Sequence, residues 1–69
     1  MSLQEKILKI FSESDQPLET EEIKFLLKRV TRTKILYRLN SLRKNGVIKG
    51  KLVGSGKGTW IWWKKEAFK

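Results

Sequence analysis

The sequence predicts an α+β fold, mostly α, in which three short helices are followed by a two-stranded β-hairpin. Two observations lead to this prediction. Apolar residues recur at helical spacing in three separate stretches before Gly46. After Gly46 they recur at every second position, in two runs that a glycine-rich turn separates. The 69 residues suffice for a single small domain, so one core must hold all of these elements together.

The first helix is predicted over residues 2–14, where Ser2 and Glu5 form the S-x-x-E pattern of a capping box. Its apolar stripe consists of Leu3, Ile7, Ile10 and Phe11. A polar stretch follows and ends in Pro17, which stops the helix because the residue before a proline disfavours the helical conformation.

The second helix is predicted over residues 20–28, and either Glu19 or Thr20 is its N-cap. Clustered carboxylates at this point favour a helix start, because they interact with the positive end of the helix dipole. The apolar stripe of this helix consists of Ile23, Leu26, Leu27 and Val30. Phe25 lies on the opposite face.

The third helix is predicted over residues 32–44, with Thr31 as its N-cap. Its apolar stripe consists of Ile35, Leu39 and Leu42. Gly46 supplies the C-terminal stop, because glycine readily adopts the left-handed conformation that ends a helix.

The hairpin strands are predicted over residues 47–53 and 59–64, and a tail follows over 65–69. Alternation along the second strand places Trp60 and Trp62 on one side. We expect Trp62 to fill the thin core between the hairpin and the helices.

Charge is distributed unequally along the chain. The net charge is +9, but residues 1–31 hold five basic and six acidic side chains, whereas residues 32–69 hold eleven basic and one acidic. This concentration of positive charge in one half of the chain favours a polyanionic partner. Nucleic acid is the preferred candidate, and an anionic membrane is the second. No secretory signal or apolar run of membrane-spanning length is visible. We therefore expect a cytoplasmic, nucleoid-associated protein that is not secreted.

Several classes of function are excluded by composition. Without Cys or His, the chain has no thiolate or imidazole metal ligand and no Ser-His-Asp or Cys-His catalytic set. Lys57 of the glycine-rich turn is not followed by Ser or Thr, and a strand follows it instead of a helix, so the turn is not a nucleotide-binding loop. We therefore expect that the protein is not an enzyme and that it binds no cofactor, metal or small-molecule substrate. Abundant Lys, Glu and Ile without Cys or His are typical of thermophiles and their viruses.

The order of elements and the stretch 30–48 resemble the winged helix-turn-helix family. In that stretch a hydroxyl N-cap is followed four residues later by an apolar residue, then by a Leu-x-x-Leu pair and by Gly with two aliphatics. Residues 17–23 resemble the usual start of the family's second helix. Binders of Z-form nucleic acid are a poor match, because Leu36 and Asn40 stand where they have Asn and Tyr. The resemblance covers about residues 3–64 and implies a small transcriptional regulator, of archaeal or viral type, that binds double-stranded DNA.

The third helix is the predicted reading element, and the hairpin is the predicted wing. Opposite its core stripe the helix presents polar side chains that suit the major groove, where Arg bonds guanine, Asn bonds adenine and methyl groups contact thymine. Its N-terminal amides and hydroxyls favour a phosphate, and the lysines of the wing favour the flanking backbone or minor groove. The predicted DNA-binding residues are Thr31, Arg32, Thr33, Lys34, Leu36, Tyr37, Asn40, Arg43, Lys44, Lys49, Lys51 and Lys57.

Two other functions stay open on the sequence alone: an RNA-binding, ribosomal-type winged helix, and a protein-interaction winged helix in a larger complex. Some apolar residues also have no evident place in so small a core. They are Leu8, Phe25, Leu36, Trp63 and Phe68. Together they favour a partner surface, and we predict a homodimer formed through helix 1 and the C-terminal tail.

Overall fold

The fold is α+β and mostly helical, as the sequence predicts. A computed structural model describes residues 2–65, and within that range the chain forms three helices and one three-stranded antiparallel sheet. The elements in chain order are α1 (Leu3–Ser12), β1 (Leu18–Glu19), α2 (Thr20–Leu26), α3 (Arg32–Lys44), β2 (Ile48–Val53) and β3 (Thr59–Lys64). In the part of the chain that the structure describes, no helix is long and apolar enough to cross a membrane.

The prediction of a two-stranded sheet is wrong, because a third strand precedes α2. Strand β1 pairs with β3, placing Leu18 opposite Trp62 and Glu19 opposite Ile61, so the strand order is β1-β3-β2. Two residues are too few to show a period of their own, which is why the sequence pattern does not reveal this strand. Its pairing satisfies backbone groups along one edge of β3 and makes β3 the central strand.

Helices α1 and α2 are shorter than predicted. They cover Leu3–Ser12 and Thr20–Leu26, rather than 2–14 and 20–28. Leu27 has φ −116° and ψ 61°, outside the helical region, so α2 ends there although basic residues follow. Helix α3 has the predicted bounds, and β2 begins one residue later than predicted.

The helix starts are fixed by side-chain caps. In α1 the hydroxyl of Ser2 accepts from the Glu5 amide at 3.1 Å. In α2 the Glu19 amide donates to the Glu22 carboxylate at 2.9 Å. Glu19, and not Thr20, is therefore the N-cap of α2.

The core lies between the three helices and one face of the sheet. Its fully buried members are Ile7, Phe11, Ile23, Ile35, Leu39, Leu42, Ile48 and Trp62. The prediction that Trp62 is a core residue is confirmed: its ring stacks on Trp60 with centroids 5.2 Å apart and 20° between the planes. Its indole N–H donates to the buried hydroxyl of Thr20 at 2.9 Å.

Some apolar residues lie elsewhere than predicted. Leu26, predicted to belong to the α2 stripe, is 58% exposed, because the short helix turns Thr20 and Ile23 into the core and Leu26 away from it. Leu8 and Leu36, which had no predicted place, are partly buried against the core. Phe25 is 69% exposed, in agreement with its predicted position on the outer face of α2.

Helix α3 ends in a Schellman motif built on Gly46. The Val47 amide donates to the Leu42 carbonyl at 2.9 Å, and the Gly46 amide donates to the Arg43 carbonyl at 3.0 Å. Gly46 has φ +76°, the left-handed conformation that this motif requires.

Replacement of Gly46 by alanine should lower the free energy of unfolding by ~1 kcal/mol. A Cβ at this position meets nothing within 4 Å, so the cost is conformational rather than steric. Urea unfolding followed by circular dichroism measures it. Gly46→Asn should recover part of the loss, because asparagine tolerates the left-handed region; equal losses for both variants would contradict this account.

Candidate nucleic-acid interface

A short turn between α2 and α3 fixes the direction of α3. In this turn the Val30 amide donates to the Leu27 carbonyl at 3.0 Å. The hydroxyl of Thr31 then accepts from the Lys34 amide at 3.3 Å and caps α3. Three buried side chains anchor one side of α3 in the core: Ile35, Leu39 and Leu42. The opposite side of the helix is therefore turned to solvent.

We define the α3 face as the four side chains opposite that stripe: Thr33, Tyr37, Asn40 and Lys44. Three of them are exposed, and Tyr37 is 68% exposed. The Arg38 guanidinium carbon lies 5.6 Å from the centroid of the Tyr37 ring, so a cation lies close to the ring. The structure places an exposed phenol and cations where the sequence predicts groove contacts.

Asn40 is less available than its position on the helix suggests. Its side chain is partly buried, and Nδ2 donates to the Leu36 carbonyl one turn earlier at 3.0 Å. An amide that reads adenine uses both its oxygen and its nitrogen. Asn40 would have to give up this bond to the helix backbone in order to read a base in that way.

Arg32 and Leu36 also have partners within the protein. Arg32 forms an ion pair with Glu21 of α2, and both side chains are more than half exposed. Exposed ion pairs are weak, so a phosphate can displace this carboxylate. Leu36 packs partly against the core, whereas Lys34 in the same helix is exposed.

Arg43 connects α3 to the sheet. Its guanidinium carbon lies 5.5 Å from the centroid of the Trp60 ring, in cation–π geometry. Its Nε is buried and has no hydrogen-bond partner among residues 2–65. Arg43 is one of the predicted DNA-binding residues, and the structure places its guanidinium beside Trp60 of β3.

The three predicted wing lysines are exposed but lie in two places. Lys49 and Lys51 alternate along β2 on the sheet face turned away from the core, opposite Trp63 and Ile61 respectively. Lys57 lies in the turn between β2 and β3. The strand lysines and the turn lysine can therefore be tested separately.

Two grooves meet at Arg43. One, of about 560 Å³, runs along the C-terminal half of the α3 face and includes Tyr37 and Lys44. The other, of about 450 Å³, follows strand β2 at the edge of the sheet, and we call it the β2-edge groove. Its lining residues are Arg43, Gly46, Ile48, Lys49, Gly50, Lys51, Trp63 and Lys65. Sequence reasoning missed two of these residues as site residues: Trp63, which the strand register places opposite Lys49, and Lys65, which directly follows β3.

The surface predicted to form a homodimer is only partly described. Leu8 of α1 is half-buried, and Phe68 of the tail lies outside the described residues, 2–65. Helix α2 also exposes two apolar side chains, Phe25 and Leu26, which line an apolar groove of about 370 Å³. Self-association through α1 and the tail stays a prediction.

Comparisons of this chain with protein families, with curated proteins and with solved structures gave no match.

Proposed function

We propose that this chain is a winged helix-turn-helix domain that binds double-stranded DNA and regulates transcription. Helix α3 lies in the major groove, and the β2–β3 hairpin, acting as the wing, contacts the flanking backbone. One observation carries the proposal: α3 exposes Tyr37 and its polar neighbours opposite a fully buried stripe, in the strongly basic half of the chain.

The dimensions of α3 support this proposal. With 13 residues the helix is about 20 Å long. The major groove of B-form DNA is about 12 Å wide and admits one α-helix. Its exposed side carries residues that can bond phosphate or base edges, and no large aliphatic side chain interrupts them within residues 32–44 except the half-buried Leu36.

Charge supports a polyanionic partner. Residues 32–65 hold ten basic side chains and no acidic one. Apart from Arg43 and Lys64, which are half-buried, all of these cations are exposed. A surface of this sign attracts phosphates and speeds encounter with a duplex.

The connection between helix and wing supports simultaneous contact by both. The hydrogen bond between Trp62 and Thr20 joins the central strand to α2, and the contact between Arg43 and Trp60 joins the wing to α3. These contacts hold helix and hairpin in a fixed relative position, so little ordering is required when a rigid duplex binds.

Selection of bound sequences from a random duplex library tests the proposal. The wild type should enrich one motif, and Tyr37→Ala should weaken binding to that motif by about tenfold, equivalent to ~1.4 kcal/mol. Phe25→Ala is a matched control, because it removes an aromatic ring of nearly equal exposure, 69% against 68%, from α2 instead of α3. Its affinity should equal that of the wild type.

Three outcomes of this experiment count against the proposal. Equal effects of Tyr37→Ala and Phe25→Ala would remove α3 from the interface. Tighter binding to structured RNA than to duplex DNA at the same salt concentration would favour the RNA-binding alternative. Weak binding that does not depend on salt would favour a protein-interaction module, because neutralisation of phosphates always produces salt dependence.

A further inference from the structure

We infer that the β2-edge groove binds phosphates of the duplex backbone, so that the wing holds DNA along its edge strand and not mainly by its glycine-rich turn. This inference rests on the proposed function and deepens it. It assigns the backbone contact to a concave site that extends from α3 to β2. The sequence alone does not separate this site from the turn, because it predicts contacts by Lys57 as well as by Lys49 and Lys51.

The groove has the charge of an anion site. Four cations line it: Arg43, Lys49, Lys51 and Lys65. None of the described residues that line it is acidic. A concave surface with charges of one sign concentrates the potential and raises the local concentration of counter-ions. Phosphodiester groups are the anions that a duplex presents at a fixed spacing.

Arg43 provides an independent indication of an anion. Its Nε is buried without a hydrogen-bond partner among residues 2–65, and the guanidinium lies beside Trp60, with no ion pair to a carboxylate of the same range. Buried polar atoms in proteins nearly always have a partner, and a partly desolvated cation is costly unless an anion lies nearby. A phosphate in the β2-edge groove would supply the missing negative charge.

The backbone of β2 adds hydrogen-bond donors to the site. In the strand order β1-β3-β2 the outer edge of β2 has no strand partner within the described sheet. Amide groups at a sheet edge can donate to an anion. The indole of Trp63, which lies opposite Lys49, offers an apolar wall against which a sugar can pack.

The groove also connects with the α3 face. Arg43 lines both grooves, so a concave surface runs from Tyr37 around the end of α3 to Lys49 and Lys51. A helix placed in the major groove has a phosphate backbone on either side of it. The β2-edge groove is positioned to receive the backbone on the wing side.

The salt dependence of binding to a mixed-sequence duplex tests this inference. The double variant K49Q/K51Q removes two cations from the groove and keeps side chains of similar length. It should reduce the slope of log K against log salt by about 1.8, since each phosphate contact contributes ~0.9. K6Q/K9Q is the matched control: both lysines lie exposed on α1, and the change in net charge is the same. Its slope should remain within about 0.3 of the wild type.

The outcomes separate this inference from the proposed function. Equal slopes for K49Q/K51Q and K6Q/K9Q would overturn the groove assignment, and the effect of Tyr37→Ala would still decide whether α3 binds DNA. A reduced slope for K49Q/K51Q, together with no effect of Tyr37→Ala, would support the groove and overturn the role of α3. A slope that falls only in K57Q would assign the contact to the turn and refute the inference.

A second measurement avoids any dependence on how well the variants fold. Titration of the ¹⁵N-labelled wild-type protein with the same duplex should shift the amide resonances of Lys49, Gly50 and Lys51, and leave those of Lys6 and Lys9 in place. Unshifted β2 amides, with shifts confined to the turn around Lys57, would contradict the inference even if the glutamine variants unfold.

Discussion

Replacement of Trp62 by alanine should unfold most of the protein at room temperature. Removal of a buried tryptophan costs ~3–5 kcal/mol. A core of this size supplies only ~3–5 kcal/mol of net stability. The expected loss therefore equals the whole stability of the domain, and the variant should lack the cooperative unfolding transition of the wild type.

The size of this effect follows from the position of the side chain. Trp62 is completely buried on the central strand, stacks on Trp60 and donates a hydrogen bond to Thr20. Its loss leaves a cavity between sheet and helices, and leaves the buried Thr20 hydroxyl without its donor.

Far-ultraviolet circular dichroism with urea unfolding measures the effect. Trp63→Ala is the control, because this neighbour on the same strand is half-buried and faces the other side of the sheet. The control should unfold cooperatively, with a loss of about 1 kcal/mol. Equal stabilities of the two variants would contradict the assignment of Trp62 as the centre of the core.

Replacement of Gly50 by alanine should lower the free energy of unfolding by ~3 kcal/mol, although only one methyl group is added. The new Cβ would lie 2.6 Å from Cε3 and 2.8 Å from Cζ3 of Trp62. The indole cannot move aside, because it is fully buried, stacked on Trp60 and hydrogen-bonded. Gly50 is not among the glycines with positive φ, so the cost is steric.

A double-mutant cycle with Trp62→Phe isolates this contact. Phenylalanine lacks the part of the indole that meets the added methyl group, so G50A should cost at least ~1 kcal/mol less in the W62F background than in the wild type. Urea unfolding of the four proteins gives the coupling energy. Strict additivity would show that the loss in G50A arises elsewhere in the strand.

Helix α3 could be predicted to the residue because three independent signals agree on it. A hydroxyl cap at Thr31, a regular apolar stripe and the Asn45-Gly46 stop all define the same span. Strand β1 could not be predicted, because Leu18 and Glu19 acquire extended pairing only from the edge of β3, far along the chain. Local signals predict local elements; pairing between distant segments depends on the whole fold.

In the candidate site, too, local sequence patterns predict some features, whereas contacts between separate elements cannot be predicted from them. The exposure of Tyr37 follows from helix periodicity, and the structure agrees with it. The ion pair of Arg32 with Glu21 and the contact of Arg43 with Trp60 join separate elements, and no spacing in the sequence specifies them. The bond from Asn40 to the Leu36 carbonyl depends on the choice of rotamer.

The central position of β3 has a consequence for biosynthesis. Of the three strands within residues 2–65, the last to be translated is the one on which the other two assemble, and its hydrogen bond from Trp62 to Thr20 spans 42 residues. While Trp62 is still inside the ribosomal exit tunnel, the nascent chain lacks the central strand of its sheet and the largest side chain of its core. The helices can form during elongation, but the domain closes only after nearly the entire described chain has emerged.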